Sequence, residues 1–156
     1  MNKYIIYILF AGAFGLGFTA KTIIGTHTEK AALKKVTGIG GIFFKCKDPK
    51  KVKEWYKANL GLETNQFGAS FEWREDSDST KKGVTQWTPF AASTKYFDPS
   101  PSDFMIDYRV KNLTVLADEL KKNGVVLTDT IETASYGKFL HILDVEGNKV
   151  ELWEPK

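Results

Sequence analysis

Two stretches of alternating residues, each followed by a helical stripe and a glycine, organise this chain. In residues 39–46 the apolar set Ile42, Phe44 and Cys46 alternates with Gly41, Phe43 and Lys45, the period of a strand with one covered face. Asp48-Pro49 then opens a helix, with Asp48 as N-cap and Pro49 as the first helical residue. Val52, Trp55, Tyr56 and Leu60 recur along one helical face before Gly61 stops it. The arrangement repeats from residue 104. Ile106, Tyr108 and Val110 alternate with Met105, Asp107 and Arg109, Asn112 stands as the cap, and Leu113, Leu116, Ala117 and Leu120 form a stripe ahead of Gly124. Neither helix can bury its stripe alone, so each is expected to lie over the apolar face of its preceding strand. Residues 75–83 are polar enough for a solvated hairpin tip. Residues 89–103 connect the two copies, with Tyr96 and Phe97 too apolar for a free linker and placed either on the sheet or at the rim of a site.

The N-terminus follows another pattern. Residues 4–20 form seventeen positions without a charge, interrupted only by Thr19, and a polar stretch begins at Lys21. That length suits a short membrane span or a long signal core. Small residues are poorly placed for cleavage, which favours an uncleaved anchor. The lysines after the segment argue for a cytoplasmic domain and the short N-terminus for export; the reading adopted is a membrane-anchored or exported envelope protein. The expected organisation is an anchor or signal segment at 1–21, a tether at 22–36 and one domain at 37–156.

Composition narrows the chemistry. At 156 residues and 42% hydrophobic content the chain supports one domain with a sizeable core. A net charge of +3, with lysines scattered among acidic residues, reads as solvated helix faces and gives no nucleic-acid surface. Cys46 is the single cysteine, so an internal disulfide is excluded, and its apolar strand face suits an inert thiol.

The paired modules, with the stretch from Asp48-Pro49 through Trp55-Tyr56 to Gly61-Leu62 and the hairpin Asp144-Val145-Glu146-Gly147-Asn148 running into Glu151-Leu152-Trp153, resemble the vicinal oxygen chelate superfamily. This is the group of glyoxalases, bleomycin-resistance proteins and extradiol dioxygenases. The resemblance implies an α+β fold in which two βαβββ modules pair into a curved sheet around a cavity, here preceded by the hydrophobic N-terminal helix. A homodimer is compatible with it. Fold alone does not assign the reaction.

Strand alternation places Lys45, Asp107 and Arg109 on the inward face, where charge must be paired, solvated or bound to a polar ligand. An ion pair of Asp107 with Lys45 or Arg109 is the structural alternative to ligand contact. In metal-using members of the superfamily four ligands come from matching strand positions, which by motif register fall here on Gly41, Gln86, Met105 and Glu151. Two of these cannot ligate a hard cation. A divalent metal is therefore not favoured; if one is bound, Gln86, His141 and Glu151 are its ligands. Without it, Glu151 and His141 are the candidate acid–base pair for proton abstraction beside a carbonyl. Gln86, Asp107, Arg109, Lys45 and Trp153 are candidate ligand-binding residues, with Arg109 suited to a carboxylate. Phe43, Phe71 or Trp73, Trp87 and Phe139 are candidate apolar walls. Three function classes follow: a glyoxalase-like lyase or isomerase acting on a small, anionic carbonyl or carboxylate compound, a metal-free binding protein of the bleomycin-resistance type, and a non-catalytic envelope interaction domain.

Overall fold

The computed structural model describes residues 34–76 and 78–156. The N-terminal segment 1–21 and nearly all of the tether lie outside the described residues. Among the described residues no helix is long and apolar enough to cross a membrane.

The elements run β1 (Val36–Cys46), α1 (Pro49–Leu60), β2 (Ala69–Glu75), β3 (Asp78–Ala91), β4 (Phe104–Val110), α2 (Leu113–Lys122), β5 (Glu132–Ala134), β6 (Gly137–Leu143) and β7 (Lys149–Pro155). The strands form one mixed sheet in the order β2-β3-β1-β4-β7-β6-β5. Strand β1 is parallel to β3 and β4 to β7, while β1 and β4 meet antiparallel at the centre. The two halves thus share one pattern about a two-fold relation between β1 and β4. The second half is β-α-β-β-β as expected, but the first has only three strands. Residues 62–68, where the missing strand would lie, spend their backbone donors locally: the Asn65 side chain accepts from the Phe67 and Gly68 amides, and the Asn65 amide donates to the Gly68 carbonyl. A segment closed on itself in this way has none of those donors left for a ladder. The sheet is open, with β2 and β5 at its edges.

Cap chemistry divides the helices. Asp48 accepts from the Lys51 amide at 3.0 Å, and Gly61 closes α1 at φ +66°, where a side chain is strained. Asn112 sits at the N-terminus of α2 with φ +52° and makes no side-chain cap bond. Its role passes to Glu154 of β7, whose carboxylate accepts from the Asn112 and Leu113 amides at 3.2 and 3.1 Å.

The core also divides. Under α2, Leu113, Leu116 and Ala117 pack on Val110, Leu140 and Leu152. Helix α1 buries none of its residues, and Ile42, expected beneath it, is 40% exposed. The other side of β1 is the covered one. Phe43 packs there with Met105 and with Phe97 from the 92–103 crossover, and Phe90 closes the cluster. The crossover therefore fills part of the face expected to line a cavity. Replacing Leu113 by Ala is expected to cost about 2–5 kcal/mol, while Leu60→Ala, at a two-thirds exposed position, should stay within about 0.5 kcal/mol. Urea titrations of the two variants check this asymmetry.

Candidate functional site

Across the face opposite the helices, one row of side chains crosses five strands. Gln86 of β3 pairs with Gly41 of β1, Gly41 with Asp107 of β4, Asp107 with Glu151 of β7, and Glu151 with His141 of β6. The ladder places Asp107 in this row, where motif register points to Met105; Met105 lies two pairs along, fully buried against Phe43.

The row ends in a hydrogen-bonded chain. His141 Nε2 lies 2.8 Å from Glu151 Oε2, and its Nδ1 lies 2.5 Å from Asp129 Oδ2. Asp129 Oδ1 also accepts from the His141 backbone amide, so one carboxylate fixes both the ring and the strand that carries it. The Tyr96 hydroxyl donates to the same Glu151 oxygen and lies 3.3 Å from His141 Nε2. Glu151 is 3% exposed and covered by the Tyr96 ring, which stacks on Phe90 and meets His141 edge-on. Beside it, Lys149 Nζ donates to the Tyr96 carbonyl and lies over its ring.

The electrostatics follow from burial among carboxylates. Burial opposes a charge on His141, yet the Glu151 and Asp129 carboxylates outweigh it and raise the imidazole above its usual value. Burial, then the charge on Glu151, raises the Tyr96 phenol, which stays a proton donor. Asp107 is 3% exposed, and burial followed by the neighbouring Glu151 charge pushes it up to about 8. Its Oδ1 is buried without a hydrogen-bond partner, as is Gln86 Nε2, while Gln86 Oε1 accepts from the Ser70 hydroxyl.

These observations test the metal expectation. Both ring nitrogens of His141 face carboxylates, which fits a protonated imidazole and leaves no lone pair for a cation. The Gly41 position supplies no donor, and a Cβ there would meet the Phe43 ring at 2.5 Å. Among the described residues no three His, Cys, Asp or Glu side chains are grouped to hold a metal. The set Gln86, His141 and Glu151 does not fit a metal centre.

Other candidate residues are placed apart from the chain. Arg109 does not pair with Asp107. It bonds Glu75 at 2.5 Å and Thr37 at 2.9 Å, because a register shift between Arg74 and Glu75 in β2 brings that carboxylate over the sheet. The Arg109 hydrogen bond holds the Glu75 carboxyl below its usual range. Lys45 lies over the Phe97 ring with Asp103 at 3.9 Å. Trp153 stacks with Phe139 on the inner face. Trp87 and Trp73 are not inner walls. Alternation that sends Gln86 inward sends Trp87 outward, where it meets Phe44 and Tyr56 of α1, and Trp73 bonds Thr85 on that same side. Cys46 is half-buried, and burial raises its thiol.

Sequence reasoning missed Asp129 and Lys149 and left Tyr96 undecided. Lys149 shares the inward set of β7 with Glu151, so strand period alone could have found it. Asp129 stands in a connection with no periodic signal.

No protein-family model matches the sequence, and no curated protein does. Among solved structures the chain is similar to methylmalonyl-CoA epimerase from Mycobacterium tuberculosis, at 20% identity and a TM-score of 0.56 over 80% of this chain and 92% of that one. It is similar also to a Streptomyces coelicolor methylmalonyl-CoA epimerase in complex with 2-nitronate-propionyl-CoA, at 18% identity and a TM-score of 0.58 over 77% of this chain and 98% of that one. At these identities the likeness is one of fold. Repeated strand–helix modules, their two-fold ladder pattern and this structural likeness together show that the domain has the vicinal oxygen chelate, glyoxalase-like fold.

Proposed function

We propose that the domain binds a small carbonyl or carboxylate compound against the inner face and moves a proton on it, as a lyase or isomerase of the glyoxalase-like class. The observation that carries this reading is the chain Tyr96–Glu151–His141–Asp129 beside the unpartnered carboxyl of Asp107. Glu151, hydrogen-bonded to His141, is the base for a C–H next to a carbonyl. The C–H electrons become an enolate and the proton passes to Glu151, to be returned to carbon in an isomerisation or kept until a leaving group departs in a lyase reaction. Asp107, neutral below about 8, is an acid with an unpartnered oxygen, suited to the enolate oxygen. Because the Tyr96 phenol covers Glu151, a substrate reaches the carboxylate by taking the place of that hydroxyl. The epimerases similar in fold carry names of the same reaction class, which supports the reading at the level of chemistry only. The apolar run at residues 4–20 would hold this activity at a membrane or direct its export.

A metal-free binding protein is the second reading, favoured by the closure of Glu151 under Tyr96. Incubation of the full chain in D2O with 2-oxo acids and acyl-CoA thioesters, methylmalonyl-CoA among them, separates the two. The proposal expects deuterium at the carbon beside the carbonyl, reduced by about 100-fold or more in Glu151→Gln. Binding without exchange would transfer the assignment to the second reading. Failure of every compound to bind would remove both and leave an interaction domain.

A further inference from the structure

Where the start of β1 meets β2 and β3, away from the Glu151 chain, the Trp73 indole lies against backbone. Trp73 of β2 pairs with Gly83 of β3, and a Cβ at Gly83 would fall 2.4 Å from its six-membered ring. A Cβ at Gly38 of β1 would fall 2.2 Å from the same ring, so the indole reaches across β3 to β1 over two glycines. Any side chain at either position would lift it off the sheet. Trp73 Nε1 donates to Thr85 Oγ1 at 2.9 Å, and Thr85 Oγ1 donates to the Ile39 carbonyl at 2.6 Å, which fixes the ring in its plane. The half-buried indole borders a hollow of about 310 Å³, with Gly38 and the exposed Ile39 in its lining. Lys34 and Arg74 stand in the wall, and among the described residues neither forms an ion pair. Asp76 is the one acidic group of the lining.

We propose that this hollow is a second binding site, taking a flat aromatic compound that carries an anionic group. The ring stacks on the Trp73 indole beside Ile39, and the anion meets Arg74 and Lys34. An indole held rigidly in plane offers stacking area at little entropic cost, and the volume matches one or two fused rings. Arg74 offers a planar fork for a carboxylate. The site shares no residue with the proton-transfer chain and stands whether or not that chain is catalytic.

The probe is 2-naphthoate, titrated into the full chain and read from the indole Nε1 resonances. There are four tryptophans, and Trp73→Phe assigns the relevant signal. The site predicts saturable displacement of the Trp73 signal, about tenfold weaker binding in Trp73→Leu, and roughly three- to fivefold weaker binding in Lys34→Gln/Arg74→Gln, with a matching loss in high salt. Glu151→Gln leaves it unchanged. If Trp73→Leu does not fold, the exposed double variant carries the test. Absence of a saturable shift at Trp73 overturns the proposal. So does equal binding of cationic 2-(aminomethyl)naphthalene, or a double variant that binds as the wild type does.

Discussion

The Asp107→Asn variant is expected to be more stable than the wild type at pH 8 and to lose most of the wild-type decline in stability between about pH 4 and pH 8. Asp107 titrates at 3.8 in the unfolded chain and is pushed up to about 8 in the fold. Across that window the folded protein keeps a proton that the unfolded chain has already released, so each rise in pH favours unfolding. Stability contributed by the neutral acid is complete below pH 4 and lost by the time pH passes 8. The loss is on the order of 5 kcal/mol for a shift of this size. Among the described residues no lysine or arginine nearby is free to offset it: Arg109 is taken by Glu75, Lys149 by the Tyr96 carbonyl and Lys45 by Asp103. His141 acts in the same direction, since its raised value gives stability that is full below pH 6.5 and lost as pH climbs through the folded value. Urea unfolding at pH 5 and pH 8 measures both slopes. A variant with the wild-type slope, or one less stable at both pH values, contradicts the account of Asp107.

Phe97→Ala is the second large effect. Phe97 is fully buried between Phe43, Met105 and Phe90, and is the anchor of the crossover that carries Tyr96. Truncation should cost about 3–5 kcal/mol. The consequence extends to the site, because Tyr96 reaches Glu151 only while its neighbour is seated. Loss of stability should therefore come with exposure of Glu151, seen as the loss of the Tyr96 hydroxyl contact in a structure of the variant. Retention of that contact would mean that Lys149 and the Phe90 stack hold Tyr96 without Phe97.

Much of the frame was legible because it depends on local chemistry. Asp48, Pro49 and Gly61 bound α1 by rules that operate within a few residues. Strand period placed Gln86, Asp107, His141 and Glu151 on one face, and the ladder aligns them in one row. The same period, applied to Trp87 and Lys149, sends the first outward and the second inward. What escaped depends on long-range geometry. Arg109 finds Glu75 through a register shift in β2, and no feature near either residue announces that pairing. Asp129 and Tyr96 come from connections, where neither period nor capping constrains a side chain. The missing strand of the first half was hidden for a related reason, since residues 62–68 hold the right length for a strand but close on Asn65 instead.

The proposed function requires that His141 and Glu151 form a proton-transfer pair held by Asp129 and Tyr96. The chain has two histidines, so the ring 15N signals of His141 are assigned by comparison with His27→Asn. A pH series of those signals in the full chain reads this pairing without an intermediary. The expected result is a midpoint above the ordinary imidazole value in the wild type, and a fall in that midpoint in Glu151→Gln and in Asp129→Asn. A midpoint at or below the ordinary imidazole value, which neither variant moves, would contradict that pairing.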